Sequence, residues 1–430
     1  MQILHTRCYN LPTIHVLNMF FIPFCSLIKR REMFHLCKRL PQLNYFQGFS
    51  CVQLDRSLIV STSILFRYSS DMTSERPGWS KPSQQLYNKL LEDTKHGKWV
   101  EVLSTKSPPP TQPDFARLTM FDPAVYEYGI FINKEEQCLH GVCEFGPYAQ
   151  GAEGHVHGGA IATIIDGATQ VLKSNLFPEI LAVTGNLKVN YKKPLTIGTT
   201  VFVESHLEKR DGKKFFLSCC LKSADNSILY DTGTALFFDV NDRTDDLPER
   251  SCEVDGLKVD PVTGWSEDSE AVLKEIQDEL DAESWKMSKT TKVPLSRKIF
   301  TRLPIGPGAV FEYAWLYNKD SIAMKGICQF GPYTQGPDGL VHGGATATMI
   351  DSILGCMVNE DPQIKAVTAN LDIKYKLPVP IGSTLRVDAS LEKRDGCKYF
   401  LQCKLSTADN SKILVSGTAL FVDLVQLYNL

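Results

Sequence analysis

The chain repeats itself, and the repetition limits its architecture more than any other feature. Tyr126-Glu127-Tyr128 matches Phe311-Glu312-Tyr313, and Phe145-Gly146-Pro147-Tyr148 matches Phe330-Gly331-Pro332-Tyr333. His157-Gly158-Gly159 matches His342-Gly343-Gly344 and Asp166 matches Asp351, all at an offset of 185 residues. The second copy then loses one residue. Thr184-Gly185-Asn186-Leu187 aligns with Thr368-Ala369-Asn370-Leu371, and residues 207–212 recur unchanged at 391–396. A register held for more than 100 residues is a tandem duplication. The 430 residues therefore hold two copies of one domain, at 80–240 and 266–430, joined by an acidic, Pro-containing linker at 241–265.

Each copy predicts the same succession of elements. An amphipathic helix comes first, over Gln84–Lys95 and Asp268–Trp285. A Tyr-rich strand follows at 126–133 and 311–318, then a Gly/Pro-rich loop. That loop feeds a helix running from Gly158 to about Lys173 and from Gly343 to about Val358. The helix is apolar on nearly every face, which predicts burial. Strands over Val183–Tyr191, Thr200–Leu207, Phe215–Lys222 and Thr232–Val240 alternate, with Arg210-Asp211-Gly212 as a hairpin signal. A helix wrapped by an antiparallel sheet is the α+β hot-dog arrangement, here in tandem as a covalent pseudo-dimer. Further pairing of two pseudo-dimers stays open.

Composition sets the outer limits. Apolar residues make up 43% and charged residues 22%, which excludes a collagen-like, disordered or multi-span membrane chain. The 13-residue apolar run Val16–Ile28 is too short to span a bilayer comfortably, so no integral membrane span is expected. The net charge of −3 argues against nucleic-acid binding. The 13 cysteines contain no C-x-x-C pair, so neither a disulfide framework nor a zinc ribbon is legible, and reduced intracellular thiols are expected. Residues 1–70 carry eight Lys/Arg against Glu32 and Asp55, and end in Arg67-Tyr68-Ser69-Ser70. That is transit-peptide composition, which predicts the mitochondrial matrix, with the cytoplasm as second choice. The apolar run Val16–Ile28 keeps a signal or anchor reading open, and Met33 is an alternative start.

Chemistry concentrates in one motif, H-G-G-A-[IT]-A-T-[IM]-I-D, identical at eight of ten positions between copies. Of nine histidines, only His157 has a counterpart, His342. Gly158 and Gly343 sit where a loop enters a helix, so their N–H groups are unpaired donors at a dipole end that favours developing negative charge. That is an oxyanion-hole design. Asp166 and Asp351 lie two turns into an apolar helix, where desolvation raises a carboxyl toward the general-base range. Gly158 and Asp166 are roughly 12 Å apart along one helix, so one carbonyl cannot touch both. A working site pairs the Asp of one copy with the Gly of the other. Independent sites of that kind would each carry about half of the turnover.

Other candidates are weaker. Thr184 and Thr368 are placed to orient a water, or are ordinary β-formers. Gln150 and Gln335 offer an amide donor, or are loop surface. Lys192, Lys193, Lys374, Lys376, Lys213, Lys214 and Lys398 gather at strand ends and a hairpin tip, as solvated lysines or as phosphate ligands. Cys219, Cys220 and Cys403 read as core. No metal-ligand motif, P-loop or dinucleotide fingerprint appears, so no metal or organic cofactor is expected.

These motifs, with T-x-N-L-x-[VI]-x-Y-K and [VF]-[YF]-E-Y, resemble the hot-dog acyl-coenzyme A thioesterases, thioesterase superfamily members four and five, over both copies. The resemblance implies that Asp166 and Asp351 act as general base or nucleophile with Thr184 and Thr368 assisting. It also implies that Gly158 and Gly343 polarise a thioester carbonyl, and that Asn190, Lys192, Lys213 and Lys214 touch coenzyme A. Copy two departs, with Lys374 for Asn190 and Cys397 for Lys213. Family members of this type usually carry one copy and dimerise. Hydrolysis of acyl-CoA to free fatty acid leads; an enoyl-CoA hydratase using His157 or His342, and a non-catalytic acyl-CoA scaffold, stay open.

Overall fold

The computed structural model describes residues 79–104, 115, 125–241, 264–289, 300–302, 308–337 and 339–428. The leader at 1–70 and nearly all of the 241–265 linker lie outside them. Copy one runs α1 (Lys81–Asp93), β1 (Val100–Ser104), β2 (Tyr126–Asn133), β3 (Cys138–Phe145), α2 (Gly158–Leu176), β4 (Ala182–Tyr191), β5 (Thr200–Asp211), β6 (Lys214–Ser223) and β7 (Leu229–Asp239). Copy two repeats the series as α3 (Glu267–Glu279), β8 (Trp285–Met287), β9 (Phe311–Asn318), β10 (Ala323–Phe330), α4 (Gly343–Asn359), β11 (Ala366–Tyr375), β12 (Thr384–Asp395), β13 (Lys398–Thr407) and β14 (Ile413–Asp423). A short α5 (Leu424–Tyr428) ends it.

Two expectations need correction. Strands β3 and β10 fall where the sequence showed only the approach to a loop. Cys138–Phe145 is buried at six of its eight positions, so its apolar residues do not alternate and hide the period of two. The helix expected to reach Trp285 stops at Glu279, and Trp285 begins β8.

All strands join one antiparallel sheet in the order β1-β2-β3-β5-β6-β7-β4-β11-β14-β13-β12-β10-β9-β8. The copies meet where β4 pairs with β11, from Asn370↔Asn190 to Lys374↔Asn186. Amide side chains stitch that seam: Asn186 Nδ2 donates to Asp372 Oδ1 and Ile373 O, both at 2.8 Å. Asn370 Nδ2 donates to Asn190 Oδ1 at 2.8 Å. The β5–β6 hairpin closes through Gly212-Lys213 alone, with Gly212 at φ +57°, a loop position that demands glycine.

Helices α2 and α4 lie side by side and antiparallel against the sheet. A Cβ on Gly159 would sit 2.4 Å from Thr348 Cα, and one on Gly344 2.6 Å from Thr163 Cα. Glycine is what lets these backbones touch. The lead-in segments cross between copies. Phe115 N–H donates to Gln335 O at 2.9 Å and its ring packs on Phe311 and His342. Reciprocally, Phe300 N–H donates to Gln150 O at 2.9 Å and its ring packs on Tyr126 and His157.

A buried acid in copy one has no counterpart in copy two. Asp231 on β7 is fully buried, neither carboxylate oxygen meets a partner among the described residues, and burial pushes its pKa up to about 8. Val415 occupies the same place in copy two. Unfolded, this carboxyl loses its proton near pH 4; folded, it keeps it until about pH 8. Stability therefore falls as pH rises through that window and levels off above it. Asp231→Val is expected to raise the thermal midpoint and to flatten its decline between pH 5 and 8. An unchanged pH slope in thermal unfolding would show that the carboxyl is not the group responsible.

Candidate active site

The site is built at the two helix starts. His157 is the N-cap of α2, with extended backbone (φ −64°, ψ 135°) and Nδ1 accepting the Gly159 N–H at 2.9 Å. His342 caps α4 the same way, accepting from Gly344 N–H at 2.9 Å. Preceding each cap, Gln150 Oε1 accepts from Gly154 N–H at 2.9 Å and Gln335 Oε1 from Gly339 N–H at 3.4 Å. The glutamine carbonyls thus brace the loops. Tyr191 and Tyr375 donate their hydroxyls to Gly158 O and Gly343 O at 2.9 and 2.8 Å, tying each helix start to the sheet.

Each aspartate meets the other helix. Asp166 Oδ2 accepts from Gly344 N–H at 3.1 Å, and its Oδ1 accepts from the Thr184 hydroxyl at 3.0 Å. Asp351 Oδ2 accepts from Gly159 N–H at 3.0 Å, and its Oδ1 from Thr368 at 2.8 Å. The cap histidines stand close by, His342 Nδ1 at 3.5 Å from Asp166 and His157 Nδ1 at 3.4 Å from Asp351. Burial pushes both carboxyls above the usual carboxylate range, and the imidazole, threonine and glycine partners pull back part of the shift. Burial likewise lowers the pKa of His157. The structure therefore brings Asp166 together with Thr184, His342 and Gly343, and Asp351 with Thr368, His157 and Gly158.

The glycine pair divides its labour. The second glycine of each motif spends its N–H on the aspartate and the cap imidazole. No hydrogen-bond partner meets the N–H of Gly158 or Gly343 among the described residues, which leaves the first glycine of each pair with the free donor. A Cβ there would lie 2.7 Å (Gly158) or 2.6 Å (Gly343) from the facing carboxylate oxygen. Glycine keeps that approach open to a ligand atom.

A cleft of about 660 Å³ opens on the Asp166 site. Copy one contributes Gln170, Thr184, Lys213 and Phe238; copy two contributes Gly343, Thr346, Tyr375, Lys376 and Leu377. Of the lysine candidates, Lys213 and Lys376 line it. Lys192 is the counterpart of Lys376. Lys214 lies over the Phe238 ring at 5.8 Å, and Lys398 is its counterpart in copy two. Asn190 and Lys374 do not line this cleft and belong to the central strand pair. Among the described residues no group of three or more His, Cys, Asp or Glu is placed to hold a metal ion. No helix there is long and apolar enough to cross a membrane.

Sequence reasoning missed the Tyr191 and Tyr375 braces, although both tyrosines stand in the repeated strand motif. It also missed Phe115 and Phe300, which lie in stretches without periodicity.

Two central helices wrapped by one sheet, with sites completed across the repeat, define a tandem hot-dog protein. The Thioesterase superfamily model matches residues 153–229 and 338–413, once in each copy. The acyl-coenzyme A thioesterase THEM4 of Xenopus laevis is 39% identical over 172 residues, spanning 37% of this chain and 76% of its own. That of Rattus norvegicus is 31% identical over 188 residues, spanning 39% and 80%. The acyl-coenzyme A thioesterase THEM5 of Mus musculus is 29% identical over 187 residues, spanning 39% and 74%. The chain belongs to the thioesterase superfamily.

The two glycines of one motif separate stability from activity. Gly159→Ala or Gly344→Ala forces a methyl onto a facing backbone and is expected to cost about 3 kcal/mol, the upper end of ordinary over-packing. Gly158→Ala and Gly343→Ala meet only a carboxylate tip, so they are expected to unfold within about 1 kcal/mol of the parent while turnover drops. Denaturant unfolding alongside turnover checks this. Equal destabilisation by both substitutions would contradict it.

Proposed function

We propose that the chain hydrolyses acyl-coenzyme A thioesters to free fatty acid and coenzyme A. The observation that carries this is a buried carboxylate on one helix facing a backbone N–H without a partner at the start of the other. The thioester carbonyl oxygen accepts from Gly343 N–H at the Asp166 site, or Gly158 N–H at the Asp351 site, where the helix dipole favours the oxyanion. The aspartate takes a proton from a water that attacks the carbonyl carbon. Thr184 or Thr368, already donating to the aspartate, accepts from that water and aims it. The tetrahedral intermediate then expels the coenzyme A thiolate, which recovers the proton from the aspartic acid, so the balance is thioester plus water to acid plus thiol. The raised carboxyl pKa makes the aspartate a stronger base than an exposed one.

The relatives named acyl-coenzyme A thioesterase support this reading. The geometry also weighs against the hydratase. Each histidine Nδ1 accepts the hydrogen bond that caps its helix, which supports a positioning role for His157 and His342 over the acid–base role a hydratase needs. A scaffold that only held acyl-CoA would gain nothing from two desolvated carboxylates.

Asp166→Asn and Asp351→Asn together are expected to lower thiol release from acyl-CoA by about 10²–10⁴-fold. The parent chain should yield free acid from acyl-CoA and no 3-hydroxyacyl product from enoyl-CoA. Turnover surviving in the double variant would remove the base assignment, and a 3-hydroxyacyl product would move the reaction to hydration.

A further inference from the structure

We propose that the two composite sites are not equivalent. The Asp166 site grips the phosphate-bearing end of acyl-coenzyme A from both walls and dominates at low substrate. The Asp351 site grips it from one wall and contributes only at higher substrate. This rests on the thioesterase reading above and adds to it which site does what, and through which residue.

The difference argued here lies in side chains, because the β5–β6 and β12–β13 hairpins and the segments after the central strands are hydrogen-bonded alike in the two copies. In the hairpin of copy one, Asp239 N–H donates to Lys213 O at 2.8 Å; in copy two, Asp423 N–H donates to Cys397 O at 2.8 Å. Both hairpins turn on a glycine at φ +57°, Gly212 and Gly396. After the central strands, Lys192 and Lys193 N–H both donate to Tyr230 O, at 2.9 and 3.1 Å. Lys376 and Leu377 N–H both donate to Leu414 O, at 2.8 and 3.1 Å. A residue at any of these positions leaves the chain on the same frame in either copy.

What hangs on that frame differs. At the Asp166 site, Lys213 comes from the copy that supplies the aspartate and Lys376 from the copy that supplies the glycine, so the cleft carries a cation on each wall. Carried through the repeat, the Asp351 site has Cys397 in place of Lys213, with Lys192 in place of Lys376 and Lys193 in place of Leu377. By that register both of its lysines fall side by side on one wall, with the Cys397 side chain in the place of the opposing ammonium. Coenzyme A carries its phosphates well away from the thioester. Opposed ammonium groups hold such an anion between them with a charge-assisted hydrogen bond from each side. Adjacent ones repel each other and leave the far side of the ligand in solvent. The equal number of lysines makes this a question of placement, not of total charge.

Full-length single variants isolate the sites: Asp351→Asn leaves the Asp166 site, and Asp166→Asn leaves the Asp351 site. Thiol release from one saturated acyl-CoA is expected to show a KM about fivefold lower for Asp351→Asn than for Asp166→Asn, with kcat of similar size, as one exposed charge contact allows. Adding Cys397→Lys to Asp166→Asn should bring its KM down toward that of the other variant. Adding Lys213→Cys to Asp351→Asn should raise it. With the matching acyl-pantetheine, which lacks the nucleotide and its phosphates, the two KM values should converge. Equal KM values on acyl-CoA overturn the proposal. So does a difference that persists on acyl-pantetheine, or total loss of turnover in either single variant. Full activity in the variant lacking both aspartates is a separate outcome, and it strikes the thioesterase mechanism rather than the inequality of the sites.

Discussion

The structure depends on the contact between two helices that touch backbone to backbone. Gly159 against Thr348 and Gly344 against Thr163 leave no room for a side chain between α2 and α4. At a normal interhelical distance of about 8–10 Å, a carboxylate two turns along one helix would fall short of the start of the other. The close crossing brings Asp166 within 3.1 Å of Gly344 N–H and Asp351 within 3.0 Å of Gly159 N–H. Antiparallel orientation does the rest, because it lays each helix start beside the middle of its neighbour.

Burying two carboxylates in this crossing is costly, and the arrangement limits the cost without removing it. A desolvated aspartate needs donors. Each receives one from a helix start and one from a threonine, and has a cap imidazole beside it. That set is enough to hold the group in place, yet burial still wins and both carboxyls stay above the usual range. A base is useful in that intermediate condition. Asp231 shows the contrast: it is buried, no donor among the described residues reaches it, and the mechanism has no use for it.

Much of this was legible in the chain because it was written twice. The repeat offset located both copies, and the motif spacing of eight residues between Gly158 and Asp166 made a single-helix site impossible. Pairing across the copies follows from that distance alone. The continuous sheet did not show, since β4 and β11 look like any half-buried strand until their asparagines are seen to bond across the seam. Strands β3 and β10 were hidden because burial on both faces erases alternation. The crossing of Phe115 and Phe300 is a long-range contact with no local pattern. For the lysines, sequence distinguished a cluster from a scatter but not which members line the cleft, because that depends on where a two-residue hairpin tip falls in space.

The central claim is that each site takes its acid from one copy and its backbone donor from the other. Paired substitutions test it most directly, by measuring turnover when two lesions are placed either in one proposed site or in one repeat. Asp166→Asn with Gly343→Ala strikes a single composite site, so the pair should be no worse than Asp166→Asn alone. Asp166→Asn with Gly158→Ala lies within one repeat and strikes both sites, so it should cripple the enzyme. The opposite ranking, with the same-repeat pair sparing activity and the cross-copy pair abolishing it, would show that each repeat works alone.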